Sequence, residues 1–360
     1  MDDAINQRIL TGEAWQDFCR TIGQAGNILF REAAPDTLFD RGEGIRYLSR
    51  LTRAFLEASV EYADPDFPAL RRLAHETVKI GADNPDNVYL SATVAGDRDY
   101  LIKGKRGTIA YFSIGSKANR YAIDGTMSST GELNDSTLEI RPDGTFEIIA
   151  SATPKPGNWL PMAADTTLLV VRQSYLDHAS ESPGDYTIER IGGPKAPPPL
   201  QAPALNEALQ KAAMGVMGTA FIFAQWTELF MTRPNELPDW GQEMFQRAGG
   251  DPDIFYLHGY WKLEADEAWV IETRVPDCPY WNFQLNNWWM ESLDYRFHRI
   301  WVNKHGAKLN PDGTITLVVA PRDPGFGNWI DTAGHDRGTA LLRWVGAKDH
   351  PLPSCRIVKI

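Results

Sequence analysis

Asn84-Pro85-Asp86-Asn87-Val88-Tyr89-Leu90 and Asp251-Pro252-Asp253-Ile254-Phe255-Tyr256-Leu257 are two versions of one passage, and they stand 167 residues apart. Three further pairs follow in the same order. Pro142-Asp143-Gly144-Thr145 matches Pro311-Asp312-Gly313-Thr314 at an offset of 169, and Gly157-Asn158-Trp159-Leu160 matches Gly327-Asn328-Trp329-Ile330 at 170. Leu168-Leu169-Val170-Val171-Arg172 matches Thr339-Ala340-Leu341-Leu342-Arg343 at 171. Offsets that grow by one or two residues per landmark describe one supersecondary unit used twice. A fused pseudo-dimer is the natural geometry of such a duplication.

The texture around the landmarks says what the unit is. Thr108 to Ile114, Phe146 to Ser151 and Thr167 to Tyr175 are short runs rich in Val, Ile, Thr and aromatics, which favour strands. Pro142-Asp143-Gly144 predicts a hairpin between Thr137–Ile140 and Thr145–Ile148, because Asp and Gly accept turn dihedrals. In the Gly-Asn-Trp element Gly permits a tight turn, Asn can bond nearby backbone, and Trp can cover the end of a sandwich core. Arg172 and Arg343 end apolar strands, which points to an edge or to a carboxylate partner.

Outside the repeats the periodicity is helical. Trp15, Phe18 and Ile22, then Ile45, Leu48, Leu51, Phe55, Ala58 and Tyr62, recur at helix spacing. Gly192-Gly193-Pro194-Lys195-Ala196-Pro197-Pro198-Pro199 is a stiff connector, and a helix from Ala204 to about Met231 follows it, stopped by Arg233-Pro234. The expected organisation is a helical segment over 1–80, a first β-sandwich unit over 81–193, a proline-rich linker and helix over 194–250, and a second β-sandwich unit over 251–360. The fold class is mainly β with helical additions, built from two tandem duplicated β-sandwich or jelly-roll-like units.

Composition narrows the function classes. With 36 basic and 47 acidic side chains, net -11, and no Lys/Arg run, nucleic acid is not an expected partner. No run approaches the roughly 18 apolar residues of a membrane span, and the acidic start Met1-Asp2-Asp3 lacks the basic region of an export signal. Cys19, Cys278 and Cys355 are odd in number and far apart, so neither a disulfide framework nor a zinc knuckle is expected, and a cytoplasmic location is. The duplicated layout is compatible with a homo-oligomer. Twelve tryptophans imply heavy cores or ligand clefts.

With these residues in hand, the sequence resembles the bacterial proteins grouped as domain of unknown function twelve-fourteen, with features of a second domain, twelve-fifty-four, that often precedes it. The likeness is carried by Ala82-Asp83-Asn84-Pro85-Asp86-Asn87-Val88-Tyr89, by the Asp-Gly turn, by Gly157-Asn158-Trp159-Leu160-Pro161 and by the strand ending in Arg172. Tyr280 to Arg296 and Trp329 to His335 also look like a subgroup of these proteins. The resemblance implies jelly-roll and immunoglobulin-like sandwich folds and carries no catalytic residues; in the second copy Ile330-Asp331 replaces Leu-Pro.

Recognised catalytic signatures are missing. There is no Walker loop, no Gly-x-Gly-x-x-Gly after a strand and no Gly-x-Ser-x-Gly elbow, and His75-Glu76-Thr77-Val78-Lys79 has lysine where a zinc pair needs its second histidine. No metal or organic cofactor is expected; Asp83, Asn84, Asp86 and Asn87 read as a solvated turn rather than a cation loop. A thiol nucleophile at Cys278 has no basic neighbour in sequence.

Differences between the copies are more informative. Strand alternation over Tyr280 to Trp289 places Asn282, Gln284 and Asn286 on one face and Trp281, Phe283 and Leu285 on the other, where the first copy has no amide row. That face either meets water or, if concave, binds hydroxyl or carbonyl groups, with Trp281, Trp288, Trp289 and Trp329 as walls. After the Asn-Trp element, Asp331, His335 and Asp336 replace a bland loop, and a histidine near carboxylates can transfer protons at neutral pH. Tyr295, Arg296 and His298 can converge on the same mouth. The expected function is a non-redox acid–base enzyme, of hydratase, dehydratase or hydrolase type, acting on a largely apolar small molecule that bears an oxygen function. His335, oriented by Asp331 or Asp336, would move the proton. The rival is a non-catalytic lipid or saccharide binding protein, and a structural or assembly role is the third class.

Overall fold

The computed structural model describes residues 2–121 and 123–360. Three helices lead the chain: α1 (Asp2–Leu10), α2 (Glu13–Ala25) and α3 (Leu38–Leu56). The side chain of Thr37 caps α3 by accepting from the Asp40 amide at 3.1 Å. Helix therefore stops short of residue 80: a single wide turn over Glu57–Glu61 ends it, and Pro65 and Pro68 forbid its continuation. Between the repeats, α4 (Ala202–Phe230) carries Leu209, Val216, Ala220, Phe223 and Phe230 on its buried stripe, and the short α5 (Glu243–Arg247) follows.

The first repeat contributes β1 (Asn87–Thr93), β2 (Tyr100–Lys105), β3 (Tyr111–Arg120), β4 (Thr126–Asn134), β5 (Thr145–Ser151), β6 (Trp159–Pro161), β7 (Leu168–Ser174) and β8 (Asp185–Arg190). The second contributes β9 (Ile254–Lys262), β10 (Glu267–Arg274), β11 (Tyr280–Leu285), β12 (Trp301–Asn303), β13 (Thr314–Ala320), β14 (Asn328–Asp331), β15 (Arg337–Val345) and β16 (Ser354–Lys359). The sheets run β1-β7-β3-β4 and β6-β5-β2-β8 in the first repeat, and β9-β15-β11-β12 and β14-β13-β10-β16 in the second. Each of these sixteen strands has its counterpart at the same place in the other repeat, so the molecule is mainly β with two similar tandem units. A two-residue strand, Arg71–Arg72, extends the first sheet by pairing with β1.

The Asp-Gly turns form, with Gly144 and Gly313 at φ 83° and 81°, but the expected hairpin does not. Residues 137–140 stay outside the sheet because the Asn158 side chain takes both the amide and the carbonyl of Glu139, at 2.7 and 2.8 Å. β5 pairs antiparallel with β2 and parallel with β6 instead. Asn328 does the same to Lys308, at 2.7 and 3.1 Å, and Trp159 and Trp329 each donate to the carbonyl that ends the neighbouring strand, Ser151 and Ala320, both at 2.9 Å. The repeated Gly-Asn-Trp element is a sheet-edge clamp.

Each repeat buries its own core between its two sheets, with Phe112, Phe146, Ile148 and Leu169 in the first and Trp269, Trp281, Phe283 and Trp344 in the second. A third core lies between the repeats, where Tyr47 and Leu51 of α3 and Val216 and Phe223 of α4 meet Tyr256, Trp288 and Trp289. Among the described residues no helix is long and apolar enough to cross a membrane, and no three His, Cys, Asp or Glu side chains stand together as metal ligands.

Candidate functional site

The amide row lies at neither a solvated face nor a free cleft. Both faces of β11 are buried. Trp281 and Phe283 fill the second repeat's core, and Asn282, Gln284 and Asn286 are fully enclosed against the loop that opens the first repeat. Asn282 Nδ2 donates to Asn84 Oδ1 at 2.9 Å, Gln284 Nε2 to the Asp83 carbonyl at 2.8 Å, and Asn286 Nδ2 to Thr339 Oγ1 at 3.2 Å. Their oxygens are taken as well: Arg343 Nη1 donates to Gln284 Oε1 at 2.5 Å and to Asn282 Oδ1 at 3.2 Å. The row is the polar seam of the pseudo-dimer, and its buried groups satisfy one another.

The expected walls disperse too. Trp288 and Trp289 are sealed in the central core, their indoles donating to Met231 Sδ at 3.4 Å and to the Asp40 carbonyl at 3.2 Å. Trp329 belongs to the sheet-edge clamp described above. Tyr295 is half-buried beside Lys79, whose Nζ lies 4.6 Å from the ring centre, and Arg296 forks onto Asp294 at the surface. The acidic turn holds its oxygens for protein donors: Asp86 accepts from Tyr280 Oη at 2.7 Å, Trp301 Nε1 at 2.9 Å and Asn303 Nδ2 at 3.1 Å.

The His335 triad does not assemble. Asp331 pairs with His298 Nδ1 at 2.8 Å, and Asp336 forks onto Arg337 at 2.9 Å. His335 Nδ1 faces the Thr332 carbonyl at 3.2 Å instead, its ring meets Phe39 edge-on at 4.7 Å, and its Nε2 is enclosed with no protein partner. The residue opens on a hollow of about 160 Å³ beside Glu43, Arg46, Arg50 and Glu291. Burial holds its pKa below the ordinary imidazole value, with Glu43 and Asp40 pulling the other way. Burial pushes the Glu291 carboxyl up, against Arg50 at 2.6 Å.

A much larger cavity, about 550 Å³, occupies the junction of the two repeats and α4. Its walls come from alternate residues of β1 and β7 on one side (Tyr89, Val170, Arg172) and of β9 and β15 on the other (Tyr256, His258, Arg343), closed by Thr219, Phe223 and Trp226 of α4. Exposed residues Ala63, Arg120, Ile123 and Lys211 mark its mouth. At the closed end His258 is buried among Phe230, Phe245 and Trp226, at ring distances of 5.1, 4.7 and 5.9 Å. His258 Nδ1 and Thr219 Oγ1 are buried without a protein partner. Burial, followed by Arg343, holds the His258 pKa well below the ordinary value, so the ring is neutral.

Of the wall residues, the sequence singles out the strand-ending pair, Arg172 and Arg343, and the acidic-turn residues Asp83 and Asn87. Arg172 donates to the Gly249 carbonyl at 2.6 Å, with Glu132 and Asp251 each at 3.6 Å, and Arg343 donates to the Ala82 carbonyl. His258, Thr219 and Arg71 passed unnoticed. For Thr219 the one signal is the run of small and aromatic residues along α4, including Ala212, Gly215 and Phe223.

The model of a family described as "Protein of unknown function (DUF1214)" matches residues 87–176. A solved structure of an uncharacterized protein from Burkholderia cenocepacia is 49% identical, covers 98% of this chain and 98% of its own, and superposes with a TM-score of 0.96. The chain belongs to this family. A structure of a Vibrio parahaemolyticus protein, 13% identical and covering 88% of this chain and 98% of its own, reaches a TM-score of 0.50, a likeness of fold alone. No curated protein matches the sequence. The stretch matched by the DUF1214 model runs from β1 to just past β7 and so includes one wall of the large cavity. The opposite wall, from β9 and β15, and the α4 closure lie outside it.

Proposed function

We propose that this DUF1214 protein binds a largely apolar small molecule bearing an oxygen function in the cavity between its repeats. The observation that carries the reading is the cavity itself: about 550 Å³, within the roughly 300 to 1,000 Å³ of ligand sites. Interiors otherwise pack like organic crystals, and a void of this size forfeits contact energy unless something fills it. The chemistry of the wall sets the ligand's character. Phe223, Trp226 and Phe245 suit a lipid-like or aromatic body and offer a saccharide too few partners, while His258 Nδ1 and Thr219 Oγ1 await a hydroxyl or carbonyl. The three cysteines are free thiols, which supports a reducing, intracellular setting.

The test is binding of Nile red, a neutral apolar dye, to the wild type and to Val170→Trp, whose indole would fill the cavity. The expected result is saturable binding to the wild type, weakened roughly tenfold or more in the variant, about 1.4 kcal/mol, at unchanged Tm. Equal binding to both proteins overturns the reading.

Acid–base turnover of the bound molecule is the second reading, and His258 favours it. A neutral imidazole with an unused nitrogen beside a ligand can accept a proton from it. The support lies with His258 rather than with His335, whose carboxylate partners are engaged elsewhere. Product formation that His258→Gln abolishes at unchanged Kd would separate an enzyme from a binder.

A further inference from the structure

Resting on the cavity reading above, we infer that the ligand is an amphipathic monocarboxylate, its carboxylate held by Arg71 at the cavity mouth and its apolar chain lying along Phe223, Trp226 and Phe245. Five cations line the cavity, against one carboxylate, Asp83, in a chain whose net charge is -11. Four of the five are already engaged. Arg120 pairs with Asp124 at 2.9 Å and Lys211 with Glu207 at 2.6 Å. Arg172 lies between Glu132 and Asp251, and Arg343 is spent on Gln284, Asn282 and the Ala82 carbonyl. The lining carboxylate, Asp83, is bound by Ser292 through its amide at 3.1 Å and its hydroxyl at 2.9 Å.

Arg71 is the exception. Among the described residues its guanidinium has no carboxylate within ion-pair distance and no hydrogen-bond acceptor; the Tyr62 ring lies 5.8 Å from the guanidinium carbon. Burial opposes its charge, and Glu57 and Tyr62 support it only from a distance. The backbone leaves it little choice of direction, since Arg71 is paired in register with Ser91 of β1 and so is carried on the cavity's own sheet. Tyr62 and Ala63 are exposed, which puts Arg71 at the mouth, while the aromatic cage of His258 forms the closed end. One unengaged guanidinium matches one carboxylate in charge and in its two-pronged donor geometry. An apolar chain behind that carboxylate then has a wall of Phe223, Trp226 and Phe245 to lie against.

The experiment compares dodecanoic acid with dodecan-1-ol, the same chain without the charge, by titration calorimetry at mildly alkaline pH. The wild type should bind the acid about tenfold more tightly than the alcohol or better, as a charge-assisted bond requires. Arg71→Gln should lose that preference while keeping its affinity for the alcohol, and Arg71→Lys should restore part of it. The wild-type pair tests the ligand class even if a variant fails to fold. Equal binding of acid and alcohol to the wild type, or an acid preference that survives in Arg71→Gln, overturns the carboxylate inference and leaves the cavity reading standing. Binding of neither compound overturns both.

Discussion

Arg172 and Arg343 stand at the same position of the same strand in the two repeats, and each reaches out of its own repeat to the loop that opens the other. Arg172 donates to the carbonyl of Gly249 and Arg343 to that of Ala82, two residues themselves 167 positions apart and both with positive φ. The flanking contacts follow the same exchange. Ser113 Oγ donates to Asp251 at 2.7 Å where Asn282 donates to Asn84, and Asn134 donates to Asp253 where Asn303 donates to Asp86 at 3.1 Å. Tyr89 and Tyr256 each accept from the amide that starts the loop of their own repeat, at 3.1 and 2.9 Å. This is isologous pairing preserved inside one chain, and both of these arginines stand in the cavity wall.

The exchange has unequal consequences when it is broken. Arg343→Met strips its donors from Gln284, Asn282 and the Ala82 carbonyl in a layer closed to water, which should cost about 3 kcal/mol or more in urea unfolding. Arg172→Met leaves Asp251 and Glu132 buried, with Lys117 at 2.8 Å the remaining cation on Glu132, and should cost about 3 to 5 kcal/mol. A loss below about 1 kcal/mol in either variant would mean that the seam does not hold the repeats together.

How much of this was legible beforehand divides cleanly by sequence distance. The duplication, the strands and α4 are local patterns, and turn chemistry with period-two or helical spacing reports them directly. The hairpin before Thr145 failed because Asn158, thirteen residues further on, holds Glu139 out of the sheet. Alternation places Asn282 and Gln284 on one face of a strand, although the strand ends at Leu285 and Asn286 follows it; alternation cannot say what covers a face, and the cover is the other repeat. His335 was paired with its sequence neighbours, whereas its real surroundings include Glu43 from α3. The cavity is invisible for the same reason: its wall is assembled from β1, β7, β9, β15 and α4, each an ordinary strand or helix when read alone.

His258 makes stability fall on mild acidification. Its folded pKa is held well below the ordinary value, so the unfolded chain takes up a proton near pH 6.5 that the folded chain refuses. Stability is therefore present above about pH 6.5 and is lost as pH falls toward the folded pKa. Between about pH 7.5 and 5.5 one such group removes about 1.4 kcal/mol. In His258→Gln the unfolding free energy should lose that much less over the same interval. His335 is shifted in the same direction by burial, so the double variant should be flatter still. Wild-type and His258→Gln curves of equal slope would show that the ring is solvated and charged in the folded protein.

Two interior helix glycines separate what the core needs from what the cavity needs. A Cβ built on Gly44 of α3 falls 2.4 Å from Leu29 Cδ2 and 2.7 Å from the Trp289 ring. Both neighbours are sealed in the central core and have nowhere to go. Alanine in a helix interior gains up to about 1 kcal/mol over glycine, but overpacking a closed core costs about 1 to 3 kcal/mol, so Gly44→Ala should lower Tm. At Gly215 of α4 the new Cβ falls 2.4 Å from the Phe55 ring, and Phe55 packs on the central core with one side open to the cavity. The ring can swing into that space, and the helix gain then offsets most of the strain. Gly215→Ala should accordingly leave Tm nearly unchanged while weakening Nile red and dodecanoic acid, because the displaced ring occupies ligand volume. If Gly215→Ala instead melts as low as Gly44→Ala, the space beside Phe55 is packed solid, and the cavity is smaller than the ligand proposed for it.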